Sequence, residues 1–165
     1  LLPTRNVEEP INRPRRVVLD ANMLVLLAYG TIDRNALGRK RRVRAYMPED
    51  IDIVHSVIAR FSQMVVTPNV VTECSDLMPD KGDEAEKTWL RLFLQASPEV
   101  SIEEYVPSRT IADRDEYLWL GIADCSLLSL IDSDTVLFTA DGRLHDVAAR
   151  INPLCINFNH LRNFA

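Results

Sequence analysis

The stretch Arg16-Val17-Val18-Leu19-Asp20-Ala21-Asn22-Met23-Leu24 decides how this chain is read. Val17 to Leu19 lack the alternation of a half-exposed strand. A near-continuous apolar run of this kind suits a parallel strand covered on both faces. The apolar run Met23–Tyr29 that follows predicts a buried helix, with Gly30 ending it. The order is therefore strand, acid, helix. In an open parallel sheet the carboxyl ends of the strands face one crevice, and ligands bind there. Asp20 closes the strand and is placed to project a carboxylate into that crevice. A helix N-cap explains the same position equally well, because an Asp there accepts hydrogen bonds from free N–H groups. Asn22, two residues on, is expected to hold that carboxylate or the adjoining backbone.

Three more acids occupy related points. Met64–Thr67 predicts a strand, Thr67-Pro68 a turn, and Val70–Leu77 a helix that carries Glu73 one to two turns in. Its neighbours Val70, Val71 and Leu77 suggest partly buried surroundings, where an unpaired carboxylate is costly. The alternative is a surface glutamate on a polar face with Ser75 and Asp76. Asp124 is the lone charge at the start of the apolar helix Ala123–Ile131, where a capping role and metal ligation are compatible. Asp141 follows the strand Thr135–Thr139, and Thr139 is placed to orient a ligand or water. Carboxylates gathered on one sheet edge repel and raise one another's pKa values. A hard divalent cation with oxygen ligands, Mg²⁺ or Mn²⁺, would neutralise them. That pattern points to metal-assisted cleavage of phosphodiesters.

The remaining elements agree. Pro48-Glu49-Asp50 starts a helix whose apolar face is Ile51, Val54, Val57, Ile58 and Phe61. Glu84–Gln95 predicts a helix, Ser101–Val106 a short strand, and Ser108–Leu120 an irregular helix broken by Gly121. Gly142–Ile151 is a helix and Leu154–Phe158 the last strand. Alternating strands and helices place the chain in the α/β class with a parallel sheet. Residues 1–14, with Pro3, Pro10 and Pro14, read as a flexible arm; residues 15–165 read as one domain. The 165 residues suit a single core, and the 47% hydrophobic and 26% charged fractions are ordinary for a globular domain. No apolar stretch approaches a membrane span, so no membrane partner is expected. Leu1-Leu2-Pro3 is not followed by the apolar region of a signal peptide. Three widely spaced cysteines, Cys74, Cys125 and Cys155, argue against a disulfide framework or a zinc site and for a cytoplasmic setting.

Net charge is −5, yet the bases are concentrated. Arg13, Arg15 and Arg16 form one group, and Arg39-Lys40-Arg41-Arg42-Val43-Arg44 the densest. The second lies in Thr31–Met47, a polar connection of the length usually kept for function or mobility. Such a run is commonly solvated loop charge; the alternative favoured here is that Arg39, Lys40, Arg41, Arg42 and Arg44 contact the phosphates of a nucleic acid, because phosphate contacts supply most non-specific affinity. The histidines His55, His145 and His160 do not form a ligand set.

The order Asp20-x-Asn22, a turn-and-helix Glu73, Gly121-x-x-Asp124 and Thr139-x-Asp141 resembles the PIN-domain nucleases, from about Arg15 to Arg162. Thr67-Pro68-Asn69-Val70-Val71-Thr72-Glu73 and Ile156-Asn157-Phe158-Asn159-His160-Leu161-Arg162 resemble stand-alone bacterial members. The resemblance implies a mostly parallel central sheet flanked by helices. It also implies a Mg²⁺- or Mn²⁺-dependent endoribonuclease acting on single-stranded RNA. Asp20, Glu73, Asp124 and Asp141 map onto the family's catalytic, metal-binding acids. Many members are homodimers, and many are toxins opposed by an antitoxin. The chain departs from the pattern at Ala140 and Arg143, where a further acid is frequent, and in its long basic segment. Two other readings are a PIN-like RNA- or protein-binding module without cleavage, and a phosphatase of small substrates. A haloacid-dehalogenase-like phosphatase also begins with a strand ending in Asp, but needs a second Asp where Asn22 stands.

Overall fold

Strand β1 (Arg16–Leu19) lies at the middle of a five-stranded sheet. Val17, Val18 and Leu19 are fully buried, as a strand covered on both faces requires. Its neighbours are β2 (Gln63–Val66) and β4 (Thr135–Thr139), with β3 (Ser101–Glu103) and β5 (Ile156–Asn157) outside them. The order is β3-β2-β1-β4-β5 and every pairing is parallel. The structure is a computed structural model, and it describes residues 14–78 and 82–162. The expected arm therefore lies, apart from Pro14, outside the described residues.

Helices α1 (Ala21–Ile32) and α2 (Asp50–Ile58) connect β1 to β2, and α3 (Pro68–Leu77) and α4 (Glu84–Leu94) connect β2 to β3. Helices α5 (Ser108–Ala112), α6 (Tyr117–Leu120) and α7 (Ile122–Leu128) lead to β4, and α8 (Gly142–Ile151) to β5; α9 (Phe158–Arg162) follows. Winding runs from β1 towards β2 and from β4 towards β5, in opposite directions. The reversal makes the carboxyl ends of β1 and β4 the switch point, where such sheets bind ligands. The main core gathers the strands with Met23, Tyr29, Leu144 and Phe158; a satellite of Val106, Ile111 and Cys125 sits beside it. Cys74, Cys125 and Cys155 are free and buried, as small apolar side chains.

Several local expectations need correction. Gly30 does not end α1, which runs to Ile32. A Cβ at Gly30 would come within 2.7 Å of Ile51 Cδ1, so the glycine permits close approach of α1 and α2. Asp33 ends the helix instead, because its carboxylate accepts from Asn35 N–H and caps the next turn. The segment Thr31–Met47 is pinned. It contains 3-10 turns at Arg34–Ala36 and Arg41–Val43, and Ala36, Leu37 and Val43 are buried in the core. The irregular helix is two short ones, α5 and α6, and the last strand is only two residues, because α9 starts at Phe158. Asp124 is the third residue of α7; Gly121, with φ of 84°, takes the position before the helix.

Candidate functional site

Register places the first pair of site residues. Leu19 lies opposite Phe138, so the next residues, Asp20 and Thr139, stand side by side where β1 and β4 end. Thr139 Oγ1 donates a hydrogen bond to Asp20 Oδ2, and Met23 N–H donates to Asp20 Oδ1 at 2.7 Å. The Asp20 carboxylate therefore caps α1 while its other oxygen stays on the sheet edge. Thr139 Oγ1 also accepts from Asp141 N–H at 2.9 Å, which ties the β4 acid to the same hydroxyl. Asp141 in turn caps α8, accepting from Arg143 N–H at 2.8 Å and Leu144 N–H at 3.2 Å. Capping and a place on the carboxyl edge thus coincide at both strands.

Glu73 and Asp124 are brought together by a buried bond that the sequence reading missed. Thr67 caps α3 through Val70 N–H, and its hydroxyl lies 2.6 Å from Ser126 Oγ. Ser126 also bonds Ala123 O at 2.6 Å. These groups are fully buried, so the start of α3 is clamped against α7. The signal was Ser126 itself, a polar residue inside an apolar helix, where a partner is required.

The four acids differ in burial. Asp20 is 3% exposed, Asp124 and Asp141 are half-buried, and Glu73 is exposed. Glu73 thus sits on the polar face of α3, not in the partly buried setting its apolar neighbours suggested. Burial, above all, pushes the Asp20 carboxyl up to about 6; the bonds from Thr139 and Met23 oppose this, and Asp141 and Glu73 add to it. Burial, then repulsion by Asp20, Glu73 and Asp141, pushes Asp124 up to about 7, with Arg143 opposing. The four carboxylates therefore share one electrostatic field at the carboxyl edge. Among the described residues no three His, Cys, Asp or Glu side chains converge into a preformed metal cage. The donor set is nonetheless all carboxylate oxygen.

Asn22 is exposed and makes no hydrogen bond to Asp20 among the described residues; Met23 N–H and Thr139 take that part. Arg143 is exposed and unpaired among the described residues, and its charge opposes the rise at Asp124. Of the basic run, Arg39, Arg41, Arg42 and Arg44 are exposed and free of ion pairs among the described residues. Lys40 is not free. Its Nζ donates to Asp83 Oδ1 at 2.9 Å and Glu86 Oε1 at 2.5 Å, and stands 5.0 Å from the centre of the Tyr29 ring. The run starts past the end of α1 remote from Asp20, and the chain then returns towards the acids. Tyr46 packs edge-on against Phe158, and burial, with the Asp20 charge adding, pushes its phenol up to about 12.

No helix among the described residues is long and apolar enough to cross a membrane. Comparison with protein-family models, with curated proteins and with solved structures finds no match for this chain.

Proposed function

We propose that this chain is a PIN-type, divalent-metal-dependent endoribonuclease that cleaves single-stranded RNA at the carboxyl edge of β1 and β4. One observation carries the reading: Asp20, at the switch point, and Asp124 feel the same acids, and both carboxyls are raised by burial and by that repulsion. Such an arrangement costs stability unless a cation offsets it. Carboxylate oxygens without thiolate or imidazole suit Mg²⁺ or Mn²⁺. Asp20, Glu73, Asp124 and Asp141 would hold the ion. When bound, it would lower the pKa of a water and neutralise charge on the scissile phosphate.

The chain's own groups prepare the edge. Thr139 orients Asp20 and Asp141 through one hydroxyl. Asp124, pushed up to about 7, would have to give up its proton to hold a cation. Arg143 supplies positive charge that draws a phosphate to an otherwise anionic crevice. Arg39, Arg41, Arg42 and Arg44 contact phosphates further along the strand. Cleavage of end-labelled single-stranded RNA in Mn²⁺ or Mg²⁺, abolished by EDTA, tests the reading; intact RNA under every metal condition overturns it.

A second reading is an RNA- or protein-binding module without cleavage. The absence of a preformed three-donor cage among the described residues favours it. RNA bound but never cut, with or without metal, would select it. The resemblance also makes a second copy of this chain and an antitoxin the partners to test, by sedimentation and by co-purification with the products of adjacent reading frames.

A further inference from the structure

An open groove of about 560 Å³ runs between α3 and the junction of α6 and α7. Its α3 wall carries Asn69, Glu73, Asp76 and Leu77. These sit at i, i+4, i+7 and i+8, one face of a helix. The facing wall includes Leu120 and Ile122. Glu73 thus belongs both to the groove and to the acid edge, so the groove opens directly from the site. Its volume is that of a small-ligand cleft, about 300–1,000 Å³.

The chemistry of the lining selects the occupant. The side chains of Asn69, Glu73 and Asp76 make no hydrogen bond or ion pair among the described residues. Leu77, Leu120, Ile122 and Ala123 add apolar surface, and Thr72, also in the lining, already donates its hydroxyl to Pro68 O at 2.8 Å. Two carboxylates repel a phosphate. They accept hydrogen bonds and donate none when ionised. A flat, neutral group with amino donors on its rim and apolar faces satisfies all of this. Cytosine and adenine present such amino groups, and Asp and Asn side chains pair with them. Uracil carries a carbonyl where cytosine carries its amino group, and that carbonyl would face a carboxylate.

We propose that this groove seats an unpaired nucleobase bearing an exocyclic amino group, beside the phosphate held at the acid edge. The proposal rests on the nuclease reading for the source of that base. Leu77, Leu120 and Ile122 cover the ring, Asp76 accepts from its amino group, and Asn69 reads the adjoining edge. The site therefore discriminates against uracil.

Fluorescence anisotropy with labelled cytidine and uridine pentamers in EDTA tests this without requiring cleavage. The parent is expected to bind the cytidine pentamer about tenfold tighter, the effect of one good pairing. Asp76→Asn supplies a group that also donates, and should bring the two affinities within about twofold. Asn69→Ala should weaken both. Asp76 is exposed near the carboxyl end of α3, where losing a negative charge does not harm the helix. Equal affinities in the parent, or full discrimination in Asp76→Asn, overturn the proposal. Selective binding without metal-dependent cleavage upholds the groove and removes the nuclease reading; cleavage with equal affinities does the reverse. Equal affinities together with self-association weakened by Asp76→Asn assign the groove to a protein contact and also overturn it.

Discussion

Asp124→Asn should make the protein more stable in the absence of metal, and only above a definite pH. The Asp124 carboxyl is pushed from 3.8 to about 7 in the folded chain. An acid whose folded pKa is raised binds its proton more tightly when folded. Its contribution to stability is then lost as pH rises from the unfolded value to the folded one, and stays lost above it. Below pH ~4 the carboxyl is protonated in both states, and parent and variant should match. Between pH ~4 and ~7 the parent should fall progressively behind. Three pH units at 1.36 kcal/mol each set a ceiling of about 4 kcal/mol. The carboxyl is only half-buried, so solvent screening reduces this to about 2. For a domain of this size that is a gap of about 4–8 °C in Tm. Thermal melts of both proteins in EDTA, at half-unit steps from pH 4 to 8.5, give the measurement. Millimolar Mn²⁺ should reverse the order, because it stabilises only the protein that binds it. A variant no more stable than the parent at pH 8, or a gap that does not widen between pH 5 and 8, would refute the reasoning.

Asp20→Asn should fold, keep the cap on α1 through its amide oxygen, and lose both RNA cleavage and the rise in Tm with Mn²⁺ that the parent shows. Cleavage at the parental rate would remove Asp20 from the site. Replacing Arg39, Arg41, Arg42 and Arg44 with Ser should leave the melt unchanged. It should also flatten the salt dependence of RNA binding by up to about 0.7 per lost phosphate contact, read by anisotropy across a salt series. Lys40→Ser should behave differently: it leaves the buried Asp83 and Glu86 carboxylates without their cation, at a cost of up to about 3 kcal/mol in a urea melt. Gly30→Ala should destabilise by about 1 kcal/mol, overpacking against Ile51 outweighing the better helix propensity, and Ile51→Val in the same chain should restore part of the loss.

The α/β class was legible in the sequence, because burial on both faces writes a strand as a continuous apolar run. Val17–Leu19 and Val136–Phe138 are of this kind. Asp20 and Asp141 were legible for a related reason. A charge directly after such a run has to leave the core, and the parallel sheet points both runs to the same edge. Glu73 and Asp124 were harder. Their helices follow different strands, and it takes the packing of α3 on α7, with the Thr67–Ser126 bond joining residues 59 apart, to bring them near one another. Local pattern does not encode such a pairing.

The basic run shows the same limit. Its five cations look alike in sequence. Tertiary structure separates them, because Val43 and Leu37 are drawn into the core and carry Lys40 against Asp83 and Glu86. Gly30 reads as a helix stop until Ile51 is seen lying against it. What the sequence determined by itself was the succession of five strands, the main helices between them and the acids at the ends of β1 and β4, since hydrophobic periodicity is a property of neighbouring residues. Which strands are adjacent, which helices face each other, how deeply each carboxyl is buried and which cations are already paired depend on residues distant in the chain. Those distances, and the pKa values that follow from them, exist only once the chain has folded.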